Sequence, residues 1–211
     1  MKNYVYQTEP YKHQEKALRR SAHRKEFALF LEMGLGKSKV LLDNAAILYE
    51  AGKIDALLVV TPKGNLRNWD KLEIPRHLPS RIPTSVLVWQ PNHTQTWKRT
   101  YCALVLEEHP ERLEIMTMNV EAFSTEKGLK FAKAFILAHE TMLAVDESTL
   151  IKNPKAKRTK NLLALSRDAV YKRILTGFPV TKTPRDRFSS NGRTARTIKG
   201  VLGPLYQGQV S

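Results

Sequence analysis

The chain has 211 residues, 42% of them hydrophobic, with a formal net charge of +15 and a single cysteine. That apolar share supports one globular core burying on the order of 70% of the unfolded surface and excludes wholesale disorder, while no run approaches the roughly 18 apolar residues that span a bilayer. The lone Cys102 cannot form an internal disulfide, and the amino terminus MKNYVYQTEPYKHQ lacks a hydrophobic signal core, so a reducing, cytoplasmic setting is expected.

Taken in order, the first pattern is helical, over 9–25, with Tyr11, Gln14, Ala17 and Leu18 near one face. Strand patterns then fall at 27–31, 56–61, 85–89, 113–118, 142–145 and 173–175, several of them continuous apolar runs of the kind buried in parallel sheets. Helical patterns lie between them at 37–50, 65–77, 94–109, 125–139 and 157–169. This alternation predicts a doubly wound α/β fold whose ligands bind at the carboxyl ends of the strands. Residues 1–180 form that domain, and residues 181–211 read as a basic Arg/Gly/Ser-rich tail, truncated or poorly ordered. Charge is unevenly spread: from Lys152 to Lys199, fourteen Lys or Arg face Asp168 and Asp186, placing +12 of the +15 there. Such clustering points to phosphate backbones, hence nucleic acid.

The first strand runs into Gly34-Leu35-Gly36-Lys37-Ser38 and then straight into an apolar helical face from Val40 to Tyr49. Glycines let backbone N–H groups close on an anion, and a helix N-terminus adds its positive dipole end. Lys37 would reach the outer phosphates and Ser38 would ligate Mg²⁺, the reading of a Walker A loop although Leu31 stands where the general pattern has its first Gly. About 110 residues on, the strand at 142–145 ends in Asp146 and Glu147. Asp146 would hold Mg²⁺, and Glu147 would orient or deprotonate the water attacking the γ-phosphate of ATP. A small-molecule kinase would account for the loop but not for DESTLIKNP or the basic last third. Trp89 and Trp97 read as packing residues, the histidines show no metal-ligand spacing, and Cys102 reads as a buried thiol.

These blocks together resemble the amino-terminal RecA-like lobe of a Swi/Snf-type DNA translocase, among the superfamily 2 DEAD/DEAH helicase-like ATPases. PYKHQEKAL is similar to the family's leading glutamine element, EMGLGKS to its Walker A, TPKGNLRNW to the segment after the second strand, MNVEAF to its NYE element, DESTLIKNP to its DEAH-like box and LTGFPVTKTPRDRF to motif III. The resemblance covers about Tyr11 to Phe188 and looks most like phage or bacterial versions.

It implies that Gln14 reads adenine and that Gly34, Leu35, Gly36, Lys37 and Ser38 cradle ATP. Asp146 and Ser38 would bind Mg²⁺, with Glu147, Asp146 and Lys37 catalytic. Thr61, Pro62, Lys63, Trp69 and Lys152 would support DNA contact, and Thr176 and Gly177 would couple the site to a second lobe. Further basic residues flanking these blocks are Arg67, Lys155, Lys157 and Arg158. Phe178, Lys182 and Arg187 depart from the family pattern, and after Phe188 the resemblance stops. The expected function is therefore the ATP-binding lobe of a double-stranded DNA translocase that hydrolyses ATP fully only with a second RecA-like lobe, missing from a truncated or frame-shifted product or supplied by another chain. The alternative is a catalytically incomplete DNA- or partner-binding module.

Overall fold

The computed structural model describes residues 4–107, 111–147, 151 and 153–177. Six parallel strands make one sheet, β1 (Glu26–Phe30), β2 (Ala56–Thr61), β3 (Thr84–Val88), β4 (Leu113–Asn119), β5 (Thr141–Asp146) and β6 (Tyr171–Thr176), in the order β1-β6-β5-β2-β4-β3. All five pairings are parallel. The expected doubly wound, parallel α/β architecture is thus present, and each predicted strand is found within two residues of its expected ends.

Because strand side chains alternate, each central strand feeds two cores. Leu57 and Val59 join Leu18, Leu41, Leu42, Trp69 and Ile74, beneath α1 (Lys12–Ser21) and α2 (Lys37–Glu50). Leu58 and Val60 face the other way, toward Leu104, Phe123, Phe135 and Leu162, beneath α5 (Gln95–Leu106), α6 (Glu126–Ala138) and α7 (Lys157–Leu165). At roughly 25 cal/mol per Å² of apolar surface, such doubly covered strands dominate the stabilisation.

Several expectations are corrected. The helix expected at 65–77 is instead a succession: a 3₁₀ turn, Lys63–Asn65, α3 (Leu66–Asn68), a π-helical turn, Trp69–Glu73, and α4 (Ile74–His77). Helix α1 is shorter at both ends than 9–25. Tyr11 sits ahead of it as the N-cap and is exposed, while Gln14, Leu18 and Ser21 form the buried face. Its C-terminal end is fixed by a distant side chain, since Arg173 of β6 donates to the Ser21 carbonyl at 3.0 Å and the Lys25 carbonyl at 3.2 Å. The same guanidinium donates to Asn44 Oδ1 at 2.7 Å and the Lys172 carbonyl at 2.8 Å. Burial pulls its pKa down to about 9, which leaves it charged at neutral pH, held by oxygen dipoles. Cys102 is exposed, not buried: Trp97, Tyr101 and Leu104 are the inward face of α5, and one residue past Tyr101 turns the thiol to solvent. Trp89 and Trp97 are core residues as expected; His93, Trp97 and Tyr101 stack at centroid spacings of 3.8 and 5.4 Å.

Candidate active site

The sheet register places the functional side chains along one edge. At the carboxyl ends, Phe30 is level with Thr176, Leu175 with Asp146, and Val60 with Val145, so Thr61 ends beside Asp146. Only β6 separates the strand that enters the loop from the strand that ends in Asp146, a lateral step of about 10 Å. The amide of Leu31 donates to the Thr176 carbonyl at 3.3 Å, which fixes where the loop leaves the sheet.

Within the loop, Gly34 and Gly36 have φ of 83° and 77°, in the left-handed region that glycine alone enters freely. Gly36 is the N-cap of α2, so the loop opens directly onto a helix N-terminus. A Cβ on Gly36 would fall 2.3 Å from Gln14 Nε2 and would push that amide from its place. That amide nitrogen donates to the Leu35 carbonyl at 3.1 Å, and Gln14 Oε1 accepts from the Tyr11 amide at 3.0 Å. The glutamine is therefore oriented by the loop and the helix cap together, keeping one N–H and one lone pair for a ligand. Lys37 Nζ donates to the carbonyls of Leu31 and Glu32 at 3.0 and 3.1 Å, leaving a third N–H.

Asp146 is half-buried, and its Oδ2 accepts from Thr61 Oγ1 and from Trp69 Nε1, both at 3.0 Å. Burial pushes its pKa up; the Trp69 and Thr61 hydrogen bonds oppose that, the Glu147 charge adds to it, and the Lys37 ammonium lowers it. The Lys37 influence is the smallest of these, and neither Asp146 nor Glu147 lines the cleft over the loop. Glu147 has φ of 59°, the sole non-glycine residue with positive φ among the described residues. Left-handed backbone costs an ordinary side chain about 1–2 kcal/mol and recurs at functional sites.

A cleft of about 470 Å³ opens over the loop, lined by Gly34, Gly36, Lys37 and Ser38 of the loop, by Thr8, Glu9, Tyr11 and Gln14, and by Lys39, Glu73, Arg76 and His77. The wall it shares with α2 contains a buried ion pair, Lys39 Nζ to Asp43 Oδ2 at 2.7 Å, onto which the amino-terminal strap is seated. Tyr4 donates to Asp43 Oδ1 at 3.2 Å and the Lys39 ammonium lies 5.1 Å from the Tyr6 ring centre. Burial raises the Asp43 pKa against the lowering effect of Lys39 and Tyr4. The signal in the sequence was a charged i,i+4 pair inside an otherwise apolar helix.

The loop residues, Gln14, Ser38 and Asp146 come to one side of the sheet, with Glu147 next in chain. Thr61 and Trp69, expected to support DNA contact, are fully buried and bound to Asp146. Pro62 is half-buried, whereas Lys63, Arg67, Lys155 and Lys157 are exposed and Arg158 is half-buried. Thr176 is buried beside the loop, and Gly177 follows it. Lys152, Phe178, Lys182, Arg187 and the tail 181–211 lie outside the described residues. Among the described residues no helix is long and apolar enough to cross a membrane.

Comparison with known proteins matches the SNF2-related domain to residues 13–189. The chain is 25% identical over 158 residues to the chromatin remodeling factor mit1 of Schizosaccharomyces pombe, covering 75% of this chain and 10% of that protein. It is 29% identical over 160 residues to the ATP-dependent helicase fft2 of the same yeast, covering 75% and 11%. The chain therefore spans about a tenth of the length of these curated relatives. Among solved structures, the Sulfolobus solfataricus SWI2/SNF2 ATPase core in complex with dsDNA superposes with a TM-score of 0.68 at 20% identity, over 97% of this chain and 38% of that one. The UvsW helicase from bacteriophage T4 gives 0.63 at 14% identity, over 93% and 59%. At those identities the two structures establish a shared fold.

Proposed function

This chain belongs to the SNF2-related domain family, and from that premise we propose that it is the ATP-binding lobe of an ATP-dependent double-stranded DNA translocase. The observation that supports this best is that the loop leaves β1 and Asp146 ends β5 at the same carboxyl edge of the sheet, with only β6 between them.

The residues fit a Mg²⁺–ATP complex: two glycines in the left-handed region bring the loop onto the N-terminus of α2, and Asp146 is a carboxylate held at the same sheet edge, two strands from β1. Ser38 and Asp146 would hold the metal, which, when bound, neutralises charge on the β- and γ-phosphate oxygens. Lys37 offers its third N–H to a phosphate, and the loop amides and the N-terminus of α2 bind the same anion. Gln14 offers its remaining donor and acceptor to the adenine edge. Glu147 takes a proton from, or orients, the attacking water. Exposed Lys63, Arg67, Lys155 and Lys157 engage phosphates of duplex DNA, each contact contributing about −0.9 to the log–log salt slope. Thr176 and Gly177 couple the site to a second RecA-like lobe, which completes it for full turnover.

A second reading, a DNA- or partner-binding module without useful turnover, is favoured by one observation: Lys37 already donates two of its three N–H groups to its own loop. ATP hydrolysis by the purified chain with and without duplex DNA separates the two. Hydrolysis that rises with DNA and vanishes in Lys37→Ala and Glu147→Gln supports the ATPase; DNA binding with no turnover supports the module.

A further inference from the structure

Asp146 is held by two donors that arrive from different elements. Thr61 ends β2 beside it, since the register of β2 with β5 sets Val60 against Val145. Trp69 reaches it from the π-helical turn Trp69–Glu73 that interrupts the segment after β2, and such turns recur at functional sites. Both donors converge on one oxygen: Thr61 Oγ1 and Trp69 Nε1 each lie 3.0 Å from Asp146 Oδ2. Neither can swing away, because Thr61 is 0% and Trp69 1% exposed, and the indole sits in the core with Leu41, Leu57 and Ile74. Among the described residues no donor is bonded to Oδ1, and Glu147 and Lys37 act on this carboxylate through charge.

A buried indole N–H needs an acceptor, and a backbone carbonyl is enough, as Trp97 shows by donating to the Val88 carbonyl at 2.8 Å. Trp69 instead donates to a carboxylate at the sheet edge where the glycine loop leaves β1, and a second buried donor joins it there. Pinning one oxygen from two elements fixes the rotation of the carboxylate about its Cβ–Cγ bond, and with it the direction of the other oxygen. Hydrogen bonds of this kind orient metal-ligating carboxylates and are needed for full metal affinity. Resting on the metal–nucleotide reading above, we propose that Trp69 and Thr61 are positioning residues for that site: they hold Asp146 by Oδ2 and leave Oδ1 to a Mg²⁺ ion or to its water. Their effect on phosphoryl transfer is exerted through Asp146.

The test is calorimetric titration of the full chain with ATP, in EDTA and over a series of Mg²⁺ concentrations, for the unmodified protein, Thr61→Val, Thr61→Ser and Trp69→Phe. Thr61→Val keeps the side-chain shape and loses the hydroxyl, whereas Thr61→Ser keeps the hydroxyl. Removing a group that orients a metal ligand costs about 10- to 100-fold in metal affinity. The Mg²⁺ concentration giving half of the gain in ATP affinity should therefore rise about 10-fold or more in Thr61→Val and Trp69→Phe, and stay near the parent value in Thr61→Ser. Metal-free melting shows which variants fold, and Thr61→Val carries the test if Trp69→Phe does not. A second readout is independent of turnover: the chain has three tryptophans, so the indole N–H signal of Trp69 is one of three in a ¹⁵N–¹H correlation spectrum. That signal should move in Asp146→Asn, and in the parent when Mg²⁺ is added to the ATP complex. A folded Thr61→Val with the parent's Mg²⁺ requirement, a loss of ATP affinity equal in Mg²⁺ and EDTA, or an indole signal indifferent to Mg²⁺ overturns the assignment. A folded parent whose ATP binding gains nothing from Mg²⁺ overturns the metal-site reading itself, a distinct result.

Discussion

Replacing Trp69 by Phe removes the indole N–H that reaches Asp146 while keeping most of the apolar bulk. Trp69 is 1% exposed, and its Nε1 lies 3.0 Å from Asp146 Oδ2. A hydrogen bond to a charged group contributes about 1.5–3 kcal/mol, more when its loss leaves a buried acceptor short of a donor. Shrinking the ring inside a packed core adds about 1–2 kcal/mol. Trp69→Phe should therefore destabilise the domain by about 3–5 kcal/mol. In an Asp146→Asn background the acceptor is neutral and the bond is worth about 1 kcal/mol, so the same substitution should cost roughly 1–2 kcal/mol less. Guanidinium unfolding at pH 7, followed by far-ultraviolet circular dichroism, measures all four proteins. Equal costs in the two backgrounds would refute the claim that the tryptophan matters through its charged partner; only its packing would then count.

Gly36→Ala should lower stability by about 2–3 kcal/mol, from left-handed strain and from displacing the Gln14 amide that a Cβ would meet at 2.3 Å; thermal unfolding checks it, and a variant as stable as the parent contradicts the loop geometry. Glu147→Gly should be more stable than Glu147→Ala by about 1 kcal/mol, because only glycine relieves the φ of 59°; urea titration of the pair gives the difference. The pH dependence follows from Asp146, whose folded-state pKa is raised above 3.8, chiefly by burial. In the window above 3.8 the folded state holds more protons than the unfolded chain, so this group makes stability fall as pH rises until the folded pKa is passed. Asp146→Asn should therefore gain on the parent across that window, and a difference that is flat with pH would exclude the effect.

Much of this arrangement is legible from local pattern. Val40 to Leu48 and the continuous apolar strands announce buried elements because a parallel sheet covered on both faces leaves little room for polar side chains. The loop is legible because its chemistry needs glycine at fixed spacing. What pattern did not carry are contacts made at long separation. The end of α1 depends on Arg173, 152 residues from Ser21. The role of Trp69 depends on an acid 77 residues away, and the indole N–H suits a half-buried carboxylate as well as a nucleic-acid surface. Cys102 was misplaced because one residue along a helix is 100° of rotation, and its neighbours Tyr101 and Leu104 set the inward face. The break of 63–77 into 3₁₀, α and π turns has one local sign, Pro75, which has no N–H to donate and stands in the first turn of α4; the rest of the segment carries none.

The central claim is that the Gly36–Lys37 loop and the Asp146 carboxylate serve one metal–nucleotide site, and Mg²⁺ dependence of ATP binding tests it most directly. Titration of the parent and of Asp146→Asn with ATP, in Mg²⁺ and in EDTA, should show Mg²⁺ strengthening binding to the parent and losing most of that gain in the variant. An undiminished Mg²⁺ gain in folded Asp146→Asn would place the metal elsewhere and contradict the account.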